Sequence, residues 1–179
     1  KIPAGTPLDR HPDARRLPDD DEQAEEYLAT VELLEKAGYA QYEISNFARP
    51  GRESRHNLKY WTMQEYLGFG PGAHSDFGGR RVAYARDLNA YIKGEEHLSE
   101  SACPAERERE EERVMLALRT ARGLDLTALK EDTRDAEAEL EECAHHGLSQ
   151  KENDRWRLTP QGFLVSNAVI VRVLEALSL

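Results

Sequence analysis

The chain has little cysteine, no long apolar run and no excess of positive charge, and each shortage removes a class of protein. Cys103 and Cys143 are the two cysteines in 179 residues. Two thiols build neither a disulfide framework nor the four-thiolate shell of a zinc or iron–sulfur site. No stretch approaches the roughly 18 apolar residues of a membrane helix, and the first residues lack the basic and apolar regions of a secretory signal. The expectation is a chain that neither spans a membrane nor is exported, in a reducing cytosol. With 34 acidic against 24 basic side chains, the net charge is −10. That balance argues against nucleic acid as a bulk partner, because phosphate contacts require a local excess of Lys and Arg. What is present is a 39% hydrophobic fraction, enough for a modest core in one domain or one and a part.

Residues 1–18 carry Pro, Asp and Arg without a period and read as an arm or loop. Asp19 followed by Glu22 is a helix start with a capping box. Ala24, Tyr27, Leu28, Val31 and Leu34 continue at helical spacing to Gly38. From Tyr39 to Ser45 the pattern alternates, with Ala40, Tyr42 and Ile44 on one face and Gln41, Glu43 and Ser45 on the other, predicting a strand. Residues 46–61 are polar and punctuated by Pro and Gly, which predicts a long loop. Tyr66 to Phe69 reads as a short strand, Gly78-Gly79 as a hairpin turn before Arg80 to Tyr84, and Asp87 to Lys93 as a short helix closed by Gly94. A domain boundary is expected in residues 95–104. Beyond it lie a helix burying Val114, Met115, Leu118 and Ala121, a short helix near Thr127 to Glu131, and a helix over Arg134 to His146. A hairpin from Gln150 to Leu158 follows, then a last helix from Thr159-Pro160 with Phe163, Ile170, Val171, Leu174 and Leu177 inward. The plan is α/β followed by a winged-helix-like helical part. Residues 103–179 hold 11 Lys and Arg against 16 Asp and Glu, a net of −5. So acidic a recognition helix would be repelled by DNA, and docking on another domain or protein is the reading that fits.

Three places could carry chemistry. Arg49, Arg52, Arg55 and Lys59 face only Glu53 as a counter-charge, beside His56, Tyr60 and Trp61. Cations for carboxylates, flat aromatics and an imidazole able to ligate iron are what a tetrapyrrole with propionate arms requires. The same residues also suit a solvated loop anchored by its aromatics. Gly68, Gly70 and Gly72 around Phe69 and Pro71 would let backbone approach a ligand, or serve a tight bend; they are not a dinucleotide fingerprint. Glu43, Ser45 and Asn46 suit the active-site end of a barrel strand, or a solvent-facing edge. His145-His146 are adjacent on a helix, point apart, and fit the negative end of the dipole better than a shared metal.

The blocks Gly38 to Gly51, His56-Asn57-Leu58-Lys59-Tyr60-Trp61 and Tyr66 to Ser75 closely resemble the oxygen-independent coproporphyrinogen III oxidase-like proteins of the radical S-adenosylmethionine (SAM) class. Glu111 to Arg119, Gly123-Leu124 and Leu158 to Gly162 resemble the C-terminal domain of that family. The resemblance implies the C-terminal part of a partial (β/α) barrel over residues 1–95 and a winged-helix-like C-terminal domain over 105–179. His-Asn-x-x-Tyr-Trp is associated with the family's haem-chaperone branch. The resemblance therefore implies haem binding at Arg49, Arg52, Arg55, His56, Asn57, Lys59, Tyr60 and Trp61, with His56 on the iron, and delivery to haem-acceptor proteins. Glu43, Ser45, Asn46, Gly68, Gly70 and Gly72 would lie on the SAM side of the barrel. It further implies a cytoplasmic parent holding SAM and a [4Fe-4S] cluster. The alternatives are the oxidase, which decarboxylates coproporphyrinogen III, and a docking module alone. The family's Cys-x-x-x-Cys-x-x-Cys motif is missing, so the expectation is a C-terminal portion that holds no cluster and cleaves no SAM. Tyr84 departs from the Asn that relatives often place before Arg-Asp-Leu.

Overall fold

A computed structural model describes residues 5–7, 10–11, 17–95 and 97–179. The arm expected over residues 1–18 falls largely outside them. α1 (Asp20–Lys36) starts where expected: Asp19 Oδ1 accepts from Glu22 N at 2.9 Å, and Glu22 Oε2 accepts from Asp19 N at 3.0 Å. Both satisfy amides that the first helical turn leaves unpaired, and three acidic residues there complement the dipole. Of the predicted α1 face, Val31 is buried. β1 (Ala40–Glu43) and β2 (Asn46–Ala48) form an antiparallel hairpin with a register shift between Gln41 and Glu43. The expected strand to Ser45 therefore stops at Glu43, and Ile44 and Ser45 make the turn.

The predicted loop over 46–61 is half wrong. Its first residues pair as β2, and its last seven form α2 (Arg55–Trp61), capped by Ser54, which accepts from Asn57 N at 3.3 Å. A seven-residue helix has too few turns to display a period, and the polar residues around it read as loop. β3 (His74–Phe77) and β4 (Arg80–Tyr84) turn at Gly78-Gly79 as predicted. Tyr66 contributes a single bridge to Asp76 in place of the expected strand. α3 (Leu88–Lys93) starts one residue later than expected, with Asp87 as its cap, and ends at Gly94 as expected. In the predicted boundary segment, β5 (Leu98–Ala102) pairs with β4 to complete a three-stranded antiparallel sheet. All five residues of β5 are exposed, so no burial pattern marks it in the sequence. Every strand pair among the described residues is antiparallel.

The remaining elements enclose the core. They are α4 (Glu106–Ala117), a 3-10 turn at Leu126–Ala128 shorter than the helix predicted there, α5 (Arg134–His145), the hairpin β6 (Ser149–Glu152) and β7 (Arg155–Leu158), α6 (Pro160–Leu164) and α7 (Ser166–Ala176). Val114, Leu118, Leu140 and Val173 are fully enclosed, together with Leu124, Cys143, Trp156 and Ile170. Each large apolar side chain buried in this way contributes roughly 1.5–3 kcal/mol of transfer free energy. The last helix is broken at Val165, which resets its phase: Val169, Ile170, Val173 and Leu177 face inward while Val171, predicted inward, is exposed. Leu124 and Trp156 exchange both backbone hydrogen bonds, at 2.7 and 2.8 Å, laying the segment after α4 against β7. Only glycine fits at 123: a Cβ there would stand 2.3 Å from the Trp156 carbonyl oxygen, and φ is +68°.

Two sets of contacts join this core to the earlier elements. Ile44 N donates to Arg119 O at 2.9 Å and Ala121 N to Tyr42 O at 3.0 Å. Asp76 on β3 accepts from Arg109 of α4 at 2.7 Å and from Arg81 of β4 at 2.8 Å, and Arg81 also pairs with Glu112. Hydrogen bonding from Arg109, reinforced by Arg81, holds Asp76 below the usual carboxylate range despite partial burial.

Candidate functional site

α2 presents two exposed strips to solvent. His56 and Tyr60 lie one turn apart, with Tyr60 Oη 3.0 Å from His56 Nε2 and the rings edge to face at 5.2 Å. Tyr60 in turn meets Tyr66 edge to face at 4.6 Å, so three rings run from α2 to the segment before β3. Burial, followed by the nearby Asp76 charge, raises the Tyr66 phenol above its ordinary pKa and keeps it protonated. Arg55 and Lys59 form the neighbouring strip. With Arg52, they are exposed and make no ion pair among the described residues. Arg49 is engaged: its guanidinium lies 5.2 Å over the Tyr39 ring. Asn57 faces inward and donates to the Tyr42 hydroxyl at 3.3 Å, tying α2 to β1.

Trp61 does not join His56 and Tyr60. Five residues along a helix are about 140° apart, and the half-buried indole lines a different cleft with Arg113, Arg122 and Arg155. Those arginines come from three separate segments, so no spacing in the sequence marked them. Tyr66 was equally invisible as a site residue, because only the fold brings it beside Tyr60.

Glu43, Ser45 and Asn46 form a closed turn. Glu43 is 1% exposed, and its carboxylate accepts from Asn46 Nδ2 and, at 3.2 Å, from Ser45 N. Its carboxylate is spent on the turn, and its backbone forms the bridge to Thr120. Gly68 is demanded by packing and Gly72 by its φ of +74°. A Cβ on Gly68 would stand 2.2 Å from His74 O, and one on Gly72 2.8 Å from Arg86 Cγ. Gly68 N donates to Ser75 Oγ at 3.0 Å. Gly68 and Gly70 nevertheless border an open cleft of about 360 Å³ with Phe69, Phe77, Tyr84 and Tyr91. Tyr84, the departure noted in the sequence, is thus one of its walls. The cysteines stand apart, Cys103 exposed and Cys143 in the core, where burial raises its thiol pKa. No group of three His, Cys, Asp or Glu suited to a metal is found among the described residues.

Residues 105–165 match the family model described as the HemN C-terminal domain. The solved coproporphyrinogen III oxidase (HemN) from Escherichia coli, a radical SAM enzyme, superposes with a TM-score of 0.64 over 88% of this chain and 42% of that one, at 16% identity. The chain is thus an α/β protein sharing the HemN fold. Two curated relatives bear the name heme chaperone HemW. The one from Bacillus subtilis (strain 168) is 35% identical over 86% of this chain and 43% of the relative. The one from Mycobacterium tuberculosis (strain CDC 1551 / Oshkosh) is 37% identical over 88% of this chain and 40% of the relative. Residues 105–165 thus carry a HemN C-terminal domain, and most of the chain is similar in sequence to these haem-chaperone relatives. The chain spans about two-fifths of the length of the curated relatives it matches.

Proposed function

We propose that the chain is the haem-presenting part of a haem chaperone, with α2 and the loop before it as the binding element. The observation that carries this reading is the exposed His56 imidazole on α2, which meets Tyr60 and through it Tyr66, beside Arg55 and Lys59, which form no ion pair among the described residues. Haem is the cargo. An imidazole nitrogen of His56 would ligate its iron, Tyr60 would contact the ring edge, and Arg55, Lys59 and Arg52 would pair the propionates. Asn57 and Arg49 would hold the element in place through Tyr42 and Tyr39. Exposure suits a carrier, since a ligand to be handed to an acceptor protein must be reachable by that acceptor.

Residues 1–95 would supply the C-terminal part of the radical SAM barrel; of the residues expected on its SAM side, Gly68 and Gly70 border an open cleft, whereas Glu43, Ser45 and Asn46 close on their own turn. Residues 105–179 would be a winged-helix-like module. Its order of helix, 3-10 turn, helix, hairpin and helix supports that plan, and its acidity favours a protein or domain as its partner over nucleic acid. Cys103 and Cys143 do not fit a [4Fe-4S] cluster. In a full-length, cytoplasmic chaperone the cluster and SAM would be held by residues outside this chain, and haem capture at α2 needs neither. No helix among the described residues is long and apolar enough to cross a membrane.

The test is haem titration of the chain, together with an assay of the full-length protein on coproporphyrinogen III. Saturable binding weakened by Arg55→Gln with Lys59→Gln is expected, without formation of protoporphyrinogen. Turnover of coproporphyrinogen would replace the chaperone reading with the oxidase.

A further inference from the structure

The cleft that Trp61 lines is built from cations in a protein of net charge −10. It encloses about 310 Å³ where the end of α2 meets α4 and the tip of β7, among Trp61, Met63, Arg113, Thr120, Arg122 and Arg155. No carboxylate lines it among the described residues. Arg155 is held in position: its Nε donates to Arg122 O at 2.9 Å, one terminal nitrogen donates to Gly123 O at 3.2 Å, and the other stands 3.4 Å from Asp125. Even with Asp125 set against Arg155, Arg113 and Arg122 form no ion pair among the described residues. Gathering like charges is unfavourable for folding, and an acidic chain offers many carboxylates to relieve it. The indole N–H of Trp61 also has no hydrogen-bond partner among the described residues. At the end of α2, Met63 takes φ +53°, a strained value for a side chain of its size, and forms part of the same wall.

We propose that this cleft is a binding site for a small planar anion, on a different face of α2 from His56. A flat ring would stack on Trp61, and its carboxylate or phosphate group would be gripped by Arg113 and Arg122, whose guanidinium forks match either oxyanion in a bidentate manner. Arg155 adds positive field from its fixed position. The volume lies near the lower end for small-molecule sites, which suits one or two fused rings and excludes a macrocycle. The site does not depend on the haem reading, because His56 and Trp61 occupy different faces of α2.

The two tryptophans give a direct readout, since each contributes one indole N–H resonance and Trp156 is buried. Trp61→Phe assigns the signals in a 15N-labelled chain, which is then titrated with phthalate, adenosine monophosphate and inorganic pyrophosphate. A saturable shift of the Trp61 resonance with a ring-bearing anion is expected, weakened at least about ten-fold by Arg122→Gln and by Arg113→Gln. His56→Ala leaves it unchanged, and an unmoved Trp156 signal certifies the fold of each variant. Preference for phthalate or for the nucleotide identifies the anion as carboxylate or phosphate. Tighter binding of pyrophosphate than of both ring-bearing anions overturns the planar assignment. No saturable shift, or one that neither arginine substitution weakens, overturns the site, and loss on His56→Ala overturns its independence.

Discussion

In residues 105–179, Val114, Leu118, Leu140 and Val173 have no exposed surface, whereas in residues 17–95 Val31, Ala48 and Ala83 are the buried apolar side chains among those described. The earlier region instead leaves Phe69 at 85%, Ile92 at 72% and Leu33 at 67% exposure. One region is a closed core, and the other is a long helix, two short helices and small antiparallel sheets docked on it through backbone bonds and the Asp76 ion network. Stability is therefore concentrated in the later region, while the groups proposed to meet haem are carried by the earlier one. Substitutions should separate accordingly, into those that unfold and those that change binding.

The largest effect is expected from Leu140→Ala, which empties a fully enclosed site and should cost about 2–5 kcal/mol in denaturant unfolding. Val31→Ala, the matching change in the earlier region, removes less buried surface and should cost about 1–2 kcal/mol. Equal losses would erase the contrast between the regions. Asp76→Asn cuts the tie between the β3–β4 sheet and α4 and is expected to cost about 1–3 kcal/mol. Because the folded pKa of Asp76 is lowered, its contribution is complete above the unfolded carboxyl value near about 4 and is lost as pH falls through the folded value. Wild-type stability should thus drop more steeply than that of Asp76→Asn on acidification below about pH 4, and parallel pH profiles would refute the network. Ser54→Ala removes the α2 cap, with an expected loss of about 1 kcal/mol confined to the helix, visible as faster amide exchange over residues 55–61. Smallest is Tyr60→Phe: iron entering at Nε2 displaces the Tyr60 hydroxyl, so removing it should tighten haem binding by up to about five-fold.

The same contrast decides what the sequence could reveal. Caps and turns are local chemistry, so the Asp19–Glu22 box, the Gly94 end of α3 and the Gly78-Gly79 turn were all legible. The enclosed face of α4 was legible as well, since Val114 and Leu118 fall at helical spacing. Elements stabilised by their neighbours were not. α2 is too short to show a period, β5 buries nothing, and the α6–α7 break lies within a run that reads as one helix. At the candidate site, the cations, His56 and Tyr60 could be picked out because they lie within one short segment. That Trp61 turns away from them, that Tyr66 completes the ring ladder, and that Glu43 closes on its own turn depend on contacts between segments distant in the chain.

The central claim is that His56 is the haem-iron ligand on α2, and its most direct test is the absorption spectrum of ferric haem titrated into wild type and His56→Ala. The account predicts a saturable Soret shift in the wild type, and in His56→Ala weaker binding with a spectrum that has lost the histidine-ligated form. Identical spectra and affinities, or no saturable shift in the wild type, would contradict it.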